Sequence, residues 1–379
     1  MAQNLITFEK ALKENYLPVW RNGLSTDPTA LLGKIKKVPI VATAPIGLSG
    51  GFGFGAEGEN TPAAGGVKFE RFETNAKDMY VNIAISAKAV RLTGSGGAMA
   101  NALDTEVKAA YETAKWNVGR SLFGNGKGIL AVATGANVGN VIPVSSTKFL
   151  KEGLIVDILT PAGVVVGTDR IKSVDRANNK VQLYNAVEAT NDHIITVQNS
   201  YNREITGLGA IFDESVKNIY GVDRTDNAYL FPTVIDAETD INDGVLWDAV
   251  EQAETYKNSK LDLMLMGRTA YKSYVDYLRT NNTRVEAITK EIVGGFKSLA
   301  FAFGNREIDM VYEQFVPDNE VWCVESGALE LHTQEWDFAD LQGGGIFNLM
   351  ENQSVYRALL ANYGDLICTN PGGCVRIVM

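Results

Sequence analysis

Residues 94–128 read GSGGAMANALDTEVKAAYETAKWNVGRSLFGNGKG. Gly94, Gly96 and Gly97 open the stretch, and Gly124, Asn125 and Gly126 close it. Between them Met99, Leu103, Val107, Tyr111, Ala114, Val118 and Leu122 recur at helical spacing, which makes one continuous apolar stripe. Asp104, Glu106, Lys108, Glu112, Lys115 and Arg120 fall off that stripe. The pattern predicts a helix over 98–123, about 39 Å long at 1.5 Å per residue. Gly119 is the weak helix former inside it, and the closing glycines stop it. A helix of this length in a sheet-rich chain is a spine on which other layers pack, so its flanks decide the fold.

Upstream, residues 38–92 read as one long hairpin. Val38–Val41 is a strand pattern, followed by a glycine-rich tip from Gly47 to Gly66. The chain returns through Val67, Phe69 and Phe72, and then alternates cleanly from Met79 to Val90. An isolated two-stranded hairpin is marginal in water. No partner sheet is evident next to it in the sequence, so a neighbouring subunit is the expected support. Before the hairpin, Leu5, Ile6, Phe8, Leu12 and Tyr16 form a short helical pattern that Pro18 interrupts. This segment reads as an arm lying along a surface.

Downstream, residues 141–206 change character. Val141–Val144, Leu154–Leu159, Gly163–Val166, Arg170–Val174, Val181–Tyr184 and Ile194–Gln198 are strand patterns at short spacing, with a turn signal at Asn178-Asn179. They predict a small all-β module, sandwich or barrel, inserted into a different fold. From Leu208 a mixed pattern returns. Helices are expected over 244–257 and 268–280 and a buried strand over 261–266. Further strand patterns cover 299–303, 307–312 and 320–324, and 347–358 and 365–378 close the chain.

The chain has 379 residues, of which 45% are hydrophobic and 21% charged, enough for sizeable cores in about two or three compact regions. The net charge of −10 argues against sequence-specific nucleic-acid binding, which needs clustered Lys and Arg against phosphate. Cys323, Cys368 and Cys374 form no CxxC pair, which suits neither a disulfide framework nor a zinc site, and a reducing setting is expected. The polar start and the lack of a long apolar run give no signal peptide and no membrane span.

Motifs for chemistry are sparse. Gly53-Phe-Gly55-Ala-Glu-Gly58 matches GxGxxG, but a dinucleotide site needs a helix start directly after it, and none follows here. Gly94-Ser-Gly96-Gly97 does precede a helix, yet it lacks a third glycine at Met99 and a phosphate-binding lysine. His193 and His332 have no GxSxG or HExxH context and read as structural. The acidic run Asp236, Glu238, Asp240 and Asp243 departs from calcium-loop spacing and reads as a solvated face. No catalytic, cofactor-binding or metal-binding residue is therefore assigned, and no cofactor.

The order of elements, with the phrases Ser121–Gly126 (SLFGNG), Gly207–Phe212 (GLGAIF), Ile219–Arg224 (IYGVDR), Gly294–Lys297 (GGFK) and Leu359–Cys368 around Tyr363, resembles the major capsid proteins of tailed bacteriophages. These have an α+β, Hong Kong 97-type fold. The resemblance implies an N-arm over 1–36 and an extended loop over 37–93. It implies a peripheral domain from 94–139, 208–235 and 346–379 with spine helix 98–123. An inserted β-domain would occupy 140–207 and an axial domain 236–345. It also implies self-assembly into hexamers and pentamers of an icosahedral shell around packaged double-stranded DNA, contacted non-specifically. The implied location is the virion, with assembly in the bacterial host cytoplasm. A portal and a decoration protein would be partners. No long charged coiled coil precedes the arm, so an internal scaffolding domain is not expected unless it has been cleaved, and a separate scaffolding protein is the expected partner. Lys68 and Lys77, and Asn352, Asn362 and Asn370, lie in the regions that chain-mail crosslinking would use, but no motif selects a pair and no crosslink is assigned. The rival readings are an encapsulin-like nanocompartment shell, a nucleotide-dependent enzyme and a tail or adhesion protein. The acidic balance predicts weak binding of free duplex DNA, abolished by moderate salt in a mobility-shift assay; salt-resistant binding would contradict it.

Overall fold

The structure is a computed structural model that describes residues 12–26, 29–38, 42–46, 68–86, 96–238, 240–280, 290–292, 296–304, 306–339, 345–350 and 353–379. The glycine-rich tip, the first residues of the arm and the Gly294-Gly295 turn lie outside them. The chain divides into two compact units, residues 1–115 with 211–379, and residues 116–210. The division falls within the long helix, Gly96–Leu122, which the apolar stripe predicts to within two residues at its start.

The first unit holds a seven-stranded sheet. Its order is Thr233–Asp236, Val375–Val378, Glu320–Val324, Leu263–Met266, Arg306–Tyr312, Phe296–Phe303 and Lys290–Ile292. The 233–236/375–378 and 263–266/306–312 pairs are parallel and the rest antiparallel. All positions of Leu263–Met266 are buried, as a central strand covered on both faces requires. Met264 and Met266 pack with Leu246, Ala249 and Val250 of helix Asp243–Lys257 and with Ala270 and Tyr274 of helix Arg268–Thr280. Asn242 caps the first of these helices by accepting from the Val245 N–H at 3.1 Å, and Asn258, in the left-handed region, ends it. Residues expected in separate regions, 208–235 and 346–379 on one side and 236–345 on the other, share this one sheet.

The second sheet of this unit is built on the 14-residue strand Val355–Cys368. One edge pairs antiparallel with all ten residues of Lys77–Ser86. The other edge takes Leu329–Thr333, Asp337–Phe338 and Asn348–Leu349 in turn, and Lys36–Val38 adds parallel to Leu329–Thr333. This corrects the expectation of an unsupported hairpin. Its return strand lies on a sheet of its own chain, whose partner strand is too distant in sequence for local pattern to reveal. Ala42–Ile46 and Lys68–Phe72 form a separate two-stranded ribbon. The chain end also differs from expectation: Val355–Cys368 is continuous where two strands were read. Pro371–Gly373 then turns the backbone into Val375–Val378.

The described part of the arm is likewise tied to its own unit. A π-helical turn, Leu12–Tyr16, runs into helix Leu17–Thr26. Pro18 sits in the first turn, where a missing N–H costs least, so it does not break the segment as expected. Trp20 is buried against Tyr111 of the long helix, ring centroids 5.4 Å apart. Arg21 donates to the Trp336 carbonyl at 2.7 Å and pairs with Glu335 and Asp337, and Lys34 reaches Asp309 at 2.6 Å.

In the second unit, Ile129–Val132, Ile194–Val197, Ile155–Leu159, Val165–Asp175, Lys180–Leu183 and Val141–Pro143 form an antiparallel sheet in that order. A bridge between Ala133 and Val144, with Ser145 N donating to Val132 O at 2.8 Å, joins the two edges and closes the sheet into a barrel. Leu130, Ile142, Val156, Ile158, Ile171, Val181, Leu183 and Ile195 fill it. Strand Ile129–Val132 belongs to this barrel, ahead of the start at 140 read from sequence. Val165–Asp175 is one strand where two were read, since register shifts let it pair with one neighbour and then the other.

Val107 is fully buried at the middle of the stripe. Val107→Ala is expected to lower stability by about 2 kcal/mol in thermal denaturation. Val107→Asp is expected to remove several kcal/mol, on the order of the whole net stability, and to give an unfolded circular-dichroism spectrum. A folded Val107→Asp chain would contradict the buried stripe.

Candidate functional site

Two of the glycine-bearing phrases interlock at the C-terminal end of the long helix. In the second unit, the chain at Gly207 and Gly209 passes against the last helical carbonyls. A Cβ on Gly209 would sit 2.6 Å from the Phe123 oxygen, and one on Gly207 would collide with that of Leu122. Only glycine permits this approach. Beside it Arg120 and Glu204, both nearly buried, make a bidentate pair at 2.9 and 2.5 Å. Trp116 packs under this corner, with the Lys151 ammonium 4.4 Å from its ring centre. Glu204 carries no signal in hydropathy, because a charged residue between loops looks solvated in sequence.

In the first unit, the phrase Ile219–Arg224 turns sharply at Tyr220 and Gly221, with φ of 51° and 81°. Arg224, fully buried, donates to the carbonyls of Ile211 at 2.9 Å and of Asp213 and Val216 at 3.3 Å, and lies 4.1 Å over the Phe231 ring. It collects carbonyl oxygens at the end of the short helix Leu208–Phe212 and just beyond it. Burial holds its guanidinium below the ordinary arginine range. Tyr220 accepts from the Cys368 N–H at 3.2 Å, and burial pushes its phenol well up. Arg376 pairs with Glu320, which also accepts from the Trp322 indole at 2.8 Å. These are structural networks that lock loops onto sheets.

The residues considered for chemistry are dispersed. His332 is buried on strand Leu329–Thr333, 3.2 Å from Glu330, and His193 belongs to the barrel unit. The acidic run spends its carboxylates locally: Asp236 accepts from the Glu238 N–H, Asp240 from Ser273 and Asp243 from the Tyr274 hydroxyl. The three cysteines are free and buried, and burial alone pushes the Cys323 thiol up to about 12. Among the described residues no group of three or more His, Cys, Asp or Glu is placed to hold a metal ion. No helix among them is long and apolar enough to cross a membrane.

What the surface offers instead is apolar side chains. The barrel exposes Val138 and the consecutive valines 164, 165 and 166. The first unit exposes Tyr80, which meets Tyr363 edge-on at 6.4 Å, together with Tyr256. It also exposes Trp247, whose ring lies 4.3 Å from that of Phe303. Exposed aromatic groups on polar surroundings are the composition of contact surfaces.

No family model matches the sequence, and no curated relative matches it. Solved structures do. A chain of the cyanophage A-1(L) capsid asymmetric unit superposes with a TM-score of 0.52 over 91% of this chain and 90% of that one, at 9% identity. The satellite phage P4 procapsid gives 0.44 at 11% identity over 98% and 96%. The SrpI encapsulin of Synechococcus elongatus PCC 7942 gives 0.42 at 7% identity over 91% and 84%. The first of these shows the fold. This chain has the mixed α and β fold of phage capsid proteins, the Hong Kong 97-type architecture that its sequence resembles.

The Arg120–Glu204 pair gives a direct test of the corner at the helix end. Glu204→Ala leaves a buried guanidinium uncompensated and is expected to cost about 3–5 kcal/mol in denaturant unfolding. Glu204→Gln, which keeps hydrogen bonding, is expected to cost less. Equal, negligible losses for both would show that the pair does not hold the corner.

Proposed function

We propose that the protein is the major capsid protein of a tailed bacteriophage. It assembles with copies of itself into hexamers and pentamers of an icosahedral shell that encloses packaged double-stranded DNA. The observation that carries this reading is the likeness of fold to the cyanophage capsid chain over nine-tenths of both chains. Three further features support it: networks that lock loops without arranging reactive groups, exposed aromatic side chains, and a net charge of −10. An acidic wall repels packaged nucleic acid rather than adsorbing it. On this reading the protein is not an enzyme, works in the virion, and is assembled in the host cytoplasm. A scaffolding protein, a portal and a decoration protein are its partners. The chain regions act as N-arm, extended loop, peripheral and axial domains, with the barrel as an insertion.

The test is expression of the chain and electron microscopy of sedimented material. Closed shells that package DNA in infected cells are expected. Shells that instead enclose a protein cargo and no nucleic acid would move the assignment to a nanocompartment. Tubes, or a compact monomer at every concentration in light scattering, would overturn the shell reading.

A further inference from the structure

The two helices over the seven-stranded sheet carry opposite charge on their outer faces. On Asp243–Lys257 the exposed side presents Trp247, Asp248 and Glu251. Asp248 and Glu251 are three residues apart, hence neighbours on one helix face. On Arg268–Thr280 the exposed side presents Arg268 and Lys272, four residues apart and likewise neighbours. The other charged groups of these helices are engaged within the unit. Asp243 accepts from Tyr274 at 3.0 Å, and Glu254 pairs with Arg306. Lys257 donates to the Tyr229 carbonyl at 3.1 Å, and Arg279 lies 3.6 Å from Asp276. Asp248, Glu251, Arg268 and Lys272 have no hydrogen-bond or ion-pair partner among the described residues.

One unit thus displays an acidic pair and a basic pair, each spaced about one helical turn, which it does not join to each other. Beside the acidic pair, Trp247 remains 44% exposed although one face of its ring is against Phe303. A half-exposed Trp flanked by unpaired charges is the make-up of an interface anchor with a steering rim. An acidic patch cannot mate with its own counterpart on another copy, because like charges would meet; its complement is the basic patch. Each copy owns both halves of the match, so a head-to-tail contact repeated around an axis satisfies both on every subunit.

We infer that the acidic face of helix Asp243–Lys257, anchored by Trp247, docks on the basic face of helix Arg268–Thr280 of a second copy, head to tail around a ring. The inference rests on the shell reading and specifies which faces meet within a capsomer. The test uses full-length chains with reversed charge. One variant carries Asp248→Lys with Glu251→Lys, the other Arg268→Glu with Lys272→Glu. Each alone is expected to lower the yield of sedimenting particles at least about ten-fold, equivalent to about 1.4 kcal/mol of lost association. Melting temperature is expected to be unchanged, since the sites are exposed. A third chain carrying all four reversals is expected to assemble again, because every subunit then offers a basic face to an acidic one in a ring of five or six; a folding defect would not be rescued by adding substitutions. Wild-type shells alongside two-site variants that assemble normally, or a folded four-site variant that still fails to assemble, overturn this inference alone. Variants that pair only as closed dimers overturn the ring. Wild-type protein that forms no shell overturns the shell reading and this inference with it.

Discussion

Val355–Cys368 offers both of its edges to strands that lie far away in the chain, and the first unit depends on that pairing. Lys77–Ser86 runs along one edge from Val355 to Gly364; Leu329–Thr333, Asp337–Phe338 and Asn348–Leu349 share the other. A strand this long satisfies its own backbone groups only when both edges are occupied, and each borrowed segment in turn needs it for support. Cross-strand contacts reinforce the pairing: Arg357 donates to Asn82 at 2.7 Å, and Thr74 hydrogen-bonds Asp365 just beyond the last register pair. The strand ends at Cys368, where Tyr220 receives its backbone N–H, so the same element also anchors the turn of Ile219–Arg224. Residues from distant parts of the sequence are thereby fixed by one backbone ladder.

Several charged groups in the interior follow one logic. Arg120, Arg224 and Glu320 are buried where chain turns leave carbonyls or a second charge in need of a partner. A buried charge with such partners is held in one place, whereas an unpaired one would cost several kcal/mol. The barrel follows the same rule: Asp157 is buried while accepting from Thr168 at 2.5 Å and from the Asn199 N–H at 2.7 Å, tying a strand to the loop after another.

Local pattern was sufficient wherever neighbours in sequence are neighbours in space. The stripe from Met99 to Leu122 defined the long helix, because helical periodicity is written into consecutive residues. Asn242 and Asn258 bracket a helix whose body was equally legible, and the apolar run at Leu263–Met266 could only be a covered strand. The glycine phrases marked places of close approach, although the sequence did not say that Gly207 and Gly209 meet the carbonyls of Leu122 and Phe123.

Residue order alone made most helices and strands legible, with the acidic balance, the lack of a recognisable catalytic motif, and an order of phrases that resembles phage capsid proteins. Tertiary structure alone decided which strands share a sheet. Strand register and partner choice depend on backbone groups identical at every residue, so Lys77–Ser86 could not announce Val355–Cys368 as its mate, nor Ile129–Val132 its place in the barrel. It also decided the burial of Glu204 and Arg224, because a charged side chain looks solvated in sequence until its distant partner is in place. And it decided which charges of helices Asp243–Lys257 and Arg268–Thr280 are spent inside the unit and which face outward. That distinction rests on distances between side chains rather than on their spacing along the chain.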